Sequence, residues 1–315
     1  MISPINKTIA LSKIKSLLFQ DDTANQTLDE IISCSRYQPI TNNMLTELHC
    51  HSNASDGAFS PSDLIAHAQA AGVELLALTD HDTIAGDAEA VQAGARLGVR
   101  VIPGIEISAL SKLGEIHILG YNMRPQTDAL REEIAKLRDA RAGRAKAILQ
   151  KLHELGIVIP FEVVQKLAGD AIIGRPYIAR ALVAGGFVKD IQAAFDDYLA
   201  DGKPANVPMQ VLTPAQAITL IHACGGVAVV AHPGLYHLDH AALIDELAAH
   251  GLDGVEVYYP DHGPLDVQKF ERLAREHNLL RTGGSDFHTP MGDIAIGSIK
   301  LPEDALKEFV EKIKN

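Results

Sequence analysis

The chain has 315 residues, 47% of them hydrophobic, which suffices for one large buried core and is compatible with one domain carrying an insertion or with two domains. A formal net charge of −12 excludes a protein that grips nucleic acid through a broad basic surface, while leaving room for a locally positive pocket that takes a small or terminal anion. Three scattered cysteines (Cys34, Cys50 and Cys224), no apolar run approaching about 18 residues and no apolar leader segment predict a cytoplasmic protein without disulfides or membrane contact.

Residues 1–43 hold one short helical pattern near 11–19 and then a polar stretch without alternation. They read as a poorly ordered N-terminal extension, or as the product of an upstream start before Met44, rather than as an integral docking element. From residue 45 onward strands and helices alternate: strand 45–51, helix 61–71, strand 73–79, helix 84–97, then strands 101–108 and 115–121. The rhythm breaks after Pro125 into helices near 127–155, 161–168, 176–185 and 190–200. It resumes with helix 214–224, strand 227–231, helix 240–250, strand 254–258, helix 264–277, strand 279–282 and a closing helix 302–313. About seven units of this kind predict a parallel α/β barrel, with an open doubly wound sheet as the alternative. The barrel would comprise residues 44–124 and 209–315, with 125–208 a helical insertion above the strand C-termini, where barrels of this type carry their active sites.

Polar side chains recur at the ends of the apolar runs: HCHSNASD (49–56), TDHD (79–82), GIEIS (104–108), EIHILGY (115–121), AHPG (231–234) and GSDFH (284–288). Residues i and i+2 of a strand share a face, so His49 and His51 can project together while Cys50 points away. Glu106, flanked by isoleucines, is costly to bury unless paired or metal-bound. Asp56, His81, His117, His232, Asp286 and His288 are individually weak signals, but all fall at the same end of their elements, and that convergence predicts a multinuclear metal site. Imidazoles and carboxylates without thiolates suit manganese, zinc or iron, and the donor list alone does not choose among them. His67, His153, His222, His240, His250, His262 and His277 read mostly as surface residues, and His237 as a rim contact. Arg138, Arg141 and Arg144 form a basic stripe on the insertion helix; Arg141, Arg144 and Arg175 are candidate phosphate ligands, with Lys203 a weaker one. No Ser/His/Asp nucleophile motif or phosphate-cradling glycine loop is present, which points to direct attack by water.

These motifs, in this order from about Glu47 to Ile299, resemble the PHP superfamily of metal-dependent phosphoesterases. The insertion, with GRPYIAR (174–180) and YLADGKPANVP (198–208), resembles the branch acting on nucleoside 3′,5′-bisphosphates, short oligoribonucleotides and RNA 5′ ends. The resemblance implies a distorted (β/α)7 TIM-like barrel with a helical cap and two to three divalent ions, most often manganese, with zinc or iron as alternatives. It implies one ion on His49, His51, Glu106 and Asp286, a second on Glu106, His117 and His232, and a third on Asp56, His81 and His288. Glu47 stands where many members carry Asp, and Tyr177 and Asn206 stand where relatives often carry His and Tyr, which bears on substrate preference. Asp80 is a candidate for orienting a metal-bound histidine. The implied activity is removal of the 3′-phosphate of a nucleoside 3′,5′-bisphosphate, with the 5′-phosphate as anchor. The alternatives are a 5′→3′ exoribonuclease using the same site, a histidinol-phosphatase-like enzyme, and a noncatalytic module, which would lack some of the nine ligands.

Overall fold

Among the described residues, seven strands form one curled sheet, each strand beside its sequence neighbour. The computed structural model describes residues 44–112, 114–123, 128–169, 171–209, 212–290 and 294–314, so the expected extension 1–43 lies outside the described residues. The first half runs β1 (Thr46–Cys50), α1 (Pro61–Ala70), β2 (Leu75–Leu78), α2 (Asp87–Leu97), β3 (Arg100–Ser111) and β4 (Gly114–Tyr121). Helices α3 (Asp128–Glu154), α4 (Phe161–Ala168), α5 (Arg175–Ala184) and α6 (Ile191–Ala194) follow, α6 running on as a π-helical turn over Phe195–Leu199. The chain returns through α7 (Pro214–Ala223), β5 (Val227–Val230), α8 (His240–Ala249), β6 (Gly254–Tyr258), α9 (Pro264–Glu276), β7 (Leu280–Gly283) and α10 (Glu303–Lys314).

The strands β1, β2 and β5 read TELHC, LLAL and VAVV and are buried along their whole length, as strands covered on both faces are. Leu48, Leu75, Ile102, Leu119 and Val229 from five strands pack around Leu306 and Phe309 of α10, and the Tyr121 and Phe309 rings meet edge to face at 5.1 Å. A separate apolar cluster, including Ile148, Leu152, Val164, Ile178 and Leu182, holds α3 to α6 together.

One expectation changes. The sheet is not wholly parallel, because β4 is antiparallel to both β3 and β5. Ser111 pairs with Gly114 across a hairpin of two residues, too short for any crossover, so the chain must turn straight back. The long β3 pairs with β2 through its first residues and with β4 through the rest. The seam between β7 and β1 is closed by a bridge from Cys50 to Phe287, with the His51 amide donating to the Phe287 carbonyl at 2.9 Å. Close approach there needs glycine: a Cβ on Gly284 would lie 2.4 Å from the His49 Cβ.

Candidate metal centre

The curled sheet brings the nine candidate ligands together in one cluster. His49 Nε2 lies 3.2 Å from Glu106 Oε2 and 3.3 Å from Asp286 Oδ1, and His51 Nε2 lies 3.2 Å and 3.0 Å from the same two oxygens. The other Glu106 oxygen is 2.7 Å from His117 Nδ1 and 3.1 Å from His232 Nε2. His81 Nδ1 is 3.1 Å from Glu106 Oε2, and Asp56 Oδ1 is 3.3 Å from His288 Nε2. Glu106 and His117 meet because Ser108 pairs with His117, which puts Glu106 diagonally opposite on the same face of the β3–β4 hairpin.

Three donor sets have atoms close enough to share an ion: His49, His51, Glu106 and Asp286; His51, Asp56, His81 and His288; and His81, Glu106 and His117. The first is the set the resemblance implies. In the other two, His51 and His81 each serve two groups, because each imidazole carries two nitrogens and lies between neighbouring carboxylates. His232 reaches the cluster through Glu106.

The donor set fits divalent cations on grounds of polarity alone. Both ring nitrogens of His51, Nδ1 of His81 and Oδ1 of Asp286 are buried without a hydrogen bond. Each such atom costs about 1–3 kcal/mol unless something takes up its lone pair. In neutral His49 the Nδ1–H donates to Glu256, leaving a bare Nε2 that faces two carboxylates, an arrangement that calls for a cation between them. Burial would raise the Glu106 and Asp286 carboxyls, yet the surrounding imidazoles, His81, His117 and His49 for Glu106 and His49, His288 and His51 for Asp286, hold both well below the usual range and so keep them anionic. Strain gathers here as well: among the described residues, Asp82, His232 and Asp286 are three of the five non-glycine residues at positive φ.

Supporting groups were only partly anticipated. Glu256, fully buried in β6, accepts from His49 Nδ1 at 3.0 Å and from the His232 amide at 2.8 Å, so it orients two candidate ligands. The sequence did carry its signal, because GVEVY repeats the pattern of GIEIS, an acid enclosed by β-branched residues. Glu47 accepts from the His49 amide and from Ser285 and Gly297, tying β1 to the loop that carries Asp286. Tyr259 donates to Asp286 at 3.0 Å. Asp80 differs from expectation: it binds the Ser52 amide and the Ser52 and Ser55 hydroxyls, and so anchors the loop bearing Asp56 rather than a histidine. His262 is another correction, being buried, with Nδ1–H donating to the Val257 carbonyl while Nε2 accepts from the Gly234 amide. It clamps the turn after His232, whereas His153, His222 and His250 are exposed, as read from sequence.

A PHP domain model matches residues 47–158. A 3′,5′-nucleoside bisphosphate phosphatase from Chromobacterium violaceum is 38% identical over 248 residues, covering 78% of this chain and 87% of that protein. The 5′-3′ exoribonuclease Rnm of Escherichia coli is 38% identical over 259 residues, covering 81% and 88%. Among solved structures, an amidohydrolase from Chromobacterium violaceum with bound sulfate and no metal superposes with a TM-score of 0.79 at 35% identity, covering 85% of this chain and 96% of that one. The chain belongs to the PHP family. It is a phosphoesterase, and a structure from Bifidobacterium adolescentis assigned to the metal-dependent phosphoesterases superposes equally well, with a TM-score of 0.79 at 29% identity over 87% of this chain and 98% of that one.

The basic groups of this PHP site lie beside its His117 end. Arg144 donates to both oxygens of Glu115 at 3.2 and 2.8 Å and to the Val207 carbonyl, and Arg175 lies 3.7 Å from Glu115. Glu115 in turn is 3.5 Å from His117 Nε2. Burial would raise its carboxyl, but His117, Arg175 and Arg144 hold it well below the ordinary glutamate range. Arg141 is buried against Asp82 at 2.5 Å and Ser108 at 2.9 Å. Lys203 is exposed on the turn after α6, and no bond among the described residues joins its amine to the cluster. Tyr177 donates to the Ser55 carbonyl at 2.7 Å, so it braces the Asp56 loop, while the amide of Asn206 donates to Asp201. Among the described residues no helix is long and apolar enough to cross a membrane.

Proposed function

We propose that this phosphoesterase removes the 3′-phosphate of nucleoside 3′,5′-bisphosphates by direct attack of water, with manganese as its preferred ion. One observation carries the reading: the metal-competent cluster adjoins a second anion site, in which Arg144 and Arg175 converge on the single carboxylate of Glu115. A substrate with one phosphate has no use for that site, whereas a bisphosphate fills both. Divalent ions held by the nine ligands would activate water and neutralise charge on the phosphoryl oxygens. The chain's own groups do the positioning: Arg144 and Arg175 exchange the Glu115 carboxylate for the 5′-phosphate, and Arg141, fixed by Asp82 and Ser108, holds its charge beside Asp56. Bidentate guanidinium contacts away from the scissile bond help fix the reacting phosphate in register.

Helices α3 to α6 serve in this reading as the cap over the site, and the name of the Chromobacterium violaceum phosphatase supports the substrate class. The ligand set of imidazole and carboxylate admits manganese alongside zinc and iron, and the buried thiol of Cys50 fits a reducing, cytoplasmic setting. Release of inorganic phosphate from adenosine 3′,5′-bisphosphate with Mn²⁺ tests the proposal. Arg144→Ala should cut kcat/KM for that substrate at least tenfold more than for an aryl monophosphate. Equal losses would discard the anchor.

A further inference from the structure

Glu115 stands between the arginine site and the metal cluster, on the same face of β4 as His117 two residues on. One imidazole joins the two sites: His117 Nδ1 lies 2.7 Å from Glu106 on the cluster side, and Nε2 lies 3.5 Å from Glu115 on the arginine side. A neutral imidazole that offers its Nδ1 lone pair to an ion carries its proton on Nε2, where Glu115 is the acceptor. Glu256 serves His49 in the same way from 3.0 Å, its further bond coming from a backbone amide. Glu115 is divided instead. Arg144 takes both its oxygens at 3.2 and 2.8 Å and Arg175 adds its charge from 3.7 Å, while the contact with His117 lies at the outer limit of a hydrogen bond.

An anion reaches these arginines by exchange, not by addition. The void beside Arg144 and Arg175 holds about 10 Å³, room for about one water, so a phosphate enters only where the Glu115 carboxylate now lies. Arg144 stays in place meanwhile, because its Nε donates to the Val207 carbonyl at 2.6 Å and leaves both terminal nitrogens for the incoming oxygens. With the arginines taken, His117 Nε2 is the partner left to Glu115 among the described residues. The backbone of His117 is pinned on both sides, its amide donating to the Tyr236 hydroxyl at 2.8 Å and its carbonyl accepting from the Ala231 amide at 3.0 Å. A change at Glu115 therefore acts on the ring and not on the strand.

We propose that Glu115 is a positioning residue that couples the two sites: a phosphate held by Arg144 and Arg175 releases Glu115 to His117, and His117 then binds the ion at its end more tightly. The coupling rests on the reading of Arg144 and Arg175 as the anchor for the 5′-phosphate. Freed of its guanidinium partners, the Glu115 carboxylate polarises the Nε2–H bond and makes Nδ1 the stronger donor. By linkage the ion must tighten the anion by the same factor. Selectivity for a substrate with a second phosphate then lies in the completeness of the metal centre as well as in binding.

The coupling is measured on full-length, chelator-stripped protein titrated with Mn²⁺, the free ion being read by its EPR signal. Titrations are run with and without adenosine 5′-monophosphate, which fills the anchor and lacks the scissile 3′-phosphate, and its own association with Mn²⁺ is subtracted. The nucleotide should tighten the weakest-held ion at least fivefold, within the range of about 5–150-fold common for coupled sites, and Mn²⁺ should tighten the nucleotide equally in equilibrium dialysis. Glu115→Gln keeps the size and removes the charge. It should bind the nucleotide more tightly than wild type in EDTA, since the arginines lose their internal competitor, while its coupling falls below about twofold; Glu115→Ala, which leaves no acceptor, should lose the coupling as well. Absence of coupling in wild type, or coupling of equal size in wild type and both variants, overturns the proposal. Nucleotide binding that is lost in Arg144→Ala, together with absent coupling, leaves the anchor standing and sinks the role of Glu115 alone. Wild type and Arg144→Ala that bind the nucleotide equally well sink the anchor, and the coupling with it.

Discussion

The carboxylate of Glu256 lies 3.0 Å from Nδ1 of His49 and turns the opposite nitrogen of that imidazole toward Glu106 and Asp286. One buried acid therefore decides which lone pair His49 can offer. Glu256→Gln keeps the shape and removes the charge, and should weaken divalent ion affinity by about 10–100-fold. Competition with a chromophoric chelator measures this. An unchanged affinity would reduce Glu256 to a filler of space.

Ions that bind the folded cluster and not the unfolded chain must raise stability. At a hundred times its Kd, one such ion adds about 2.7 kcal/mol. Manganese added to chelator-stripped protein should therefore raise the Tm by several degrees, and EDTA should reverse it. A melting curve indifferent to manganese, zinc and iron alike would count against the centre.

Arg141 and Asp82 are both buried, and the Asp82 carboxylate also accepts from the Ser108 amide. Arg141→Ala strands that carboxylate and should cost about 3–5 kcal/mol in urea denaturation. Arg141→Lys should recover part of the loss, since it restores the charge without the fork. Stability equal to wild type would mean that the pair contributes nothing to the fold.

Asp253 ties β6 to its neighbours far from the cluster. Burial would raise its carboxyl, but the Ala228 amide, His222 and Lys312 outweigh that and hold it below the ordinary aspartate value. A depressed folded-state pKa stabilises the protein above the unfolded-state value and loses that contribution as pH falls through the folded one. The affected window lies below about pH 4. Asp253→Asn should lower stability at pH 7 and flatten the pH dependence of stability in that window; parallel wild-type and variant curves would refute this.

The strand runs and the ligands at their ends were legible because both are local signals. His49 and His51 share a face through the two-residue period of a strand, and Glu106 advertises itself by standing among isoleucines. Glu256 was equally visible in GVEVY, but an acid in a strand announces a buried partner without saying which one. His262 was not visible at all, since YPDHGP has the composition of a solvated turn and only its fit against Val257 and Gly234 buries it. The arginines show the limit most clearly. Periodicity places Arg138, Arg141 and Arg144 on a helix, yet it cannot tell a solvated stripe from a buried one.

By itself, then, the amino-acid order determined where strands and helices form, which residues alternate to a common face, and that imidazoles and carboxylates sit at one end of the strands. The tertiary structure alone decided that β4 turns back antiparallel, that Glu115 on that hairpin meets Arg144 and Arg175, and that Arg131 and Arg138 face an open cleft while Arg141 is sealed against Asp82. The physical reason is range. Backbone periodicity is set by neighbours a few residues apart, whereas burial and charge pairing depend on which distant segments the closing sheet brings into contact, and no local pattern encodes that choice.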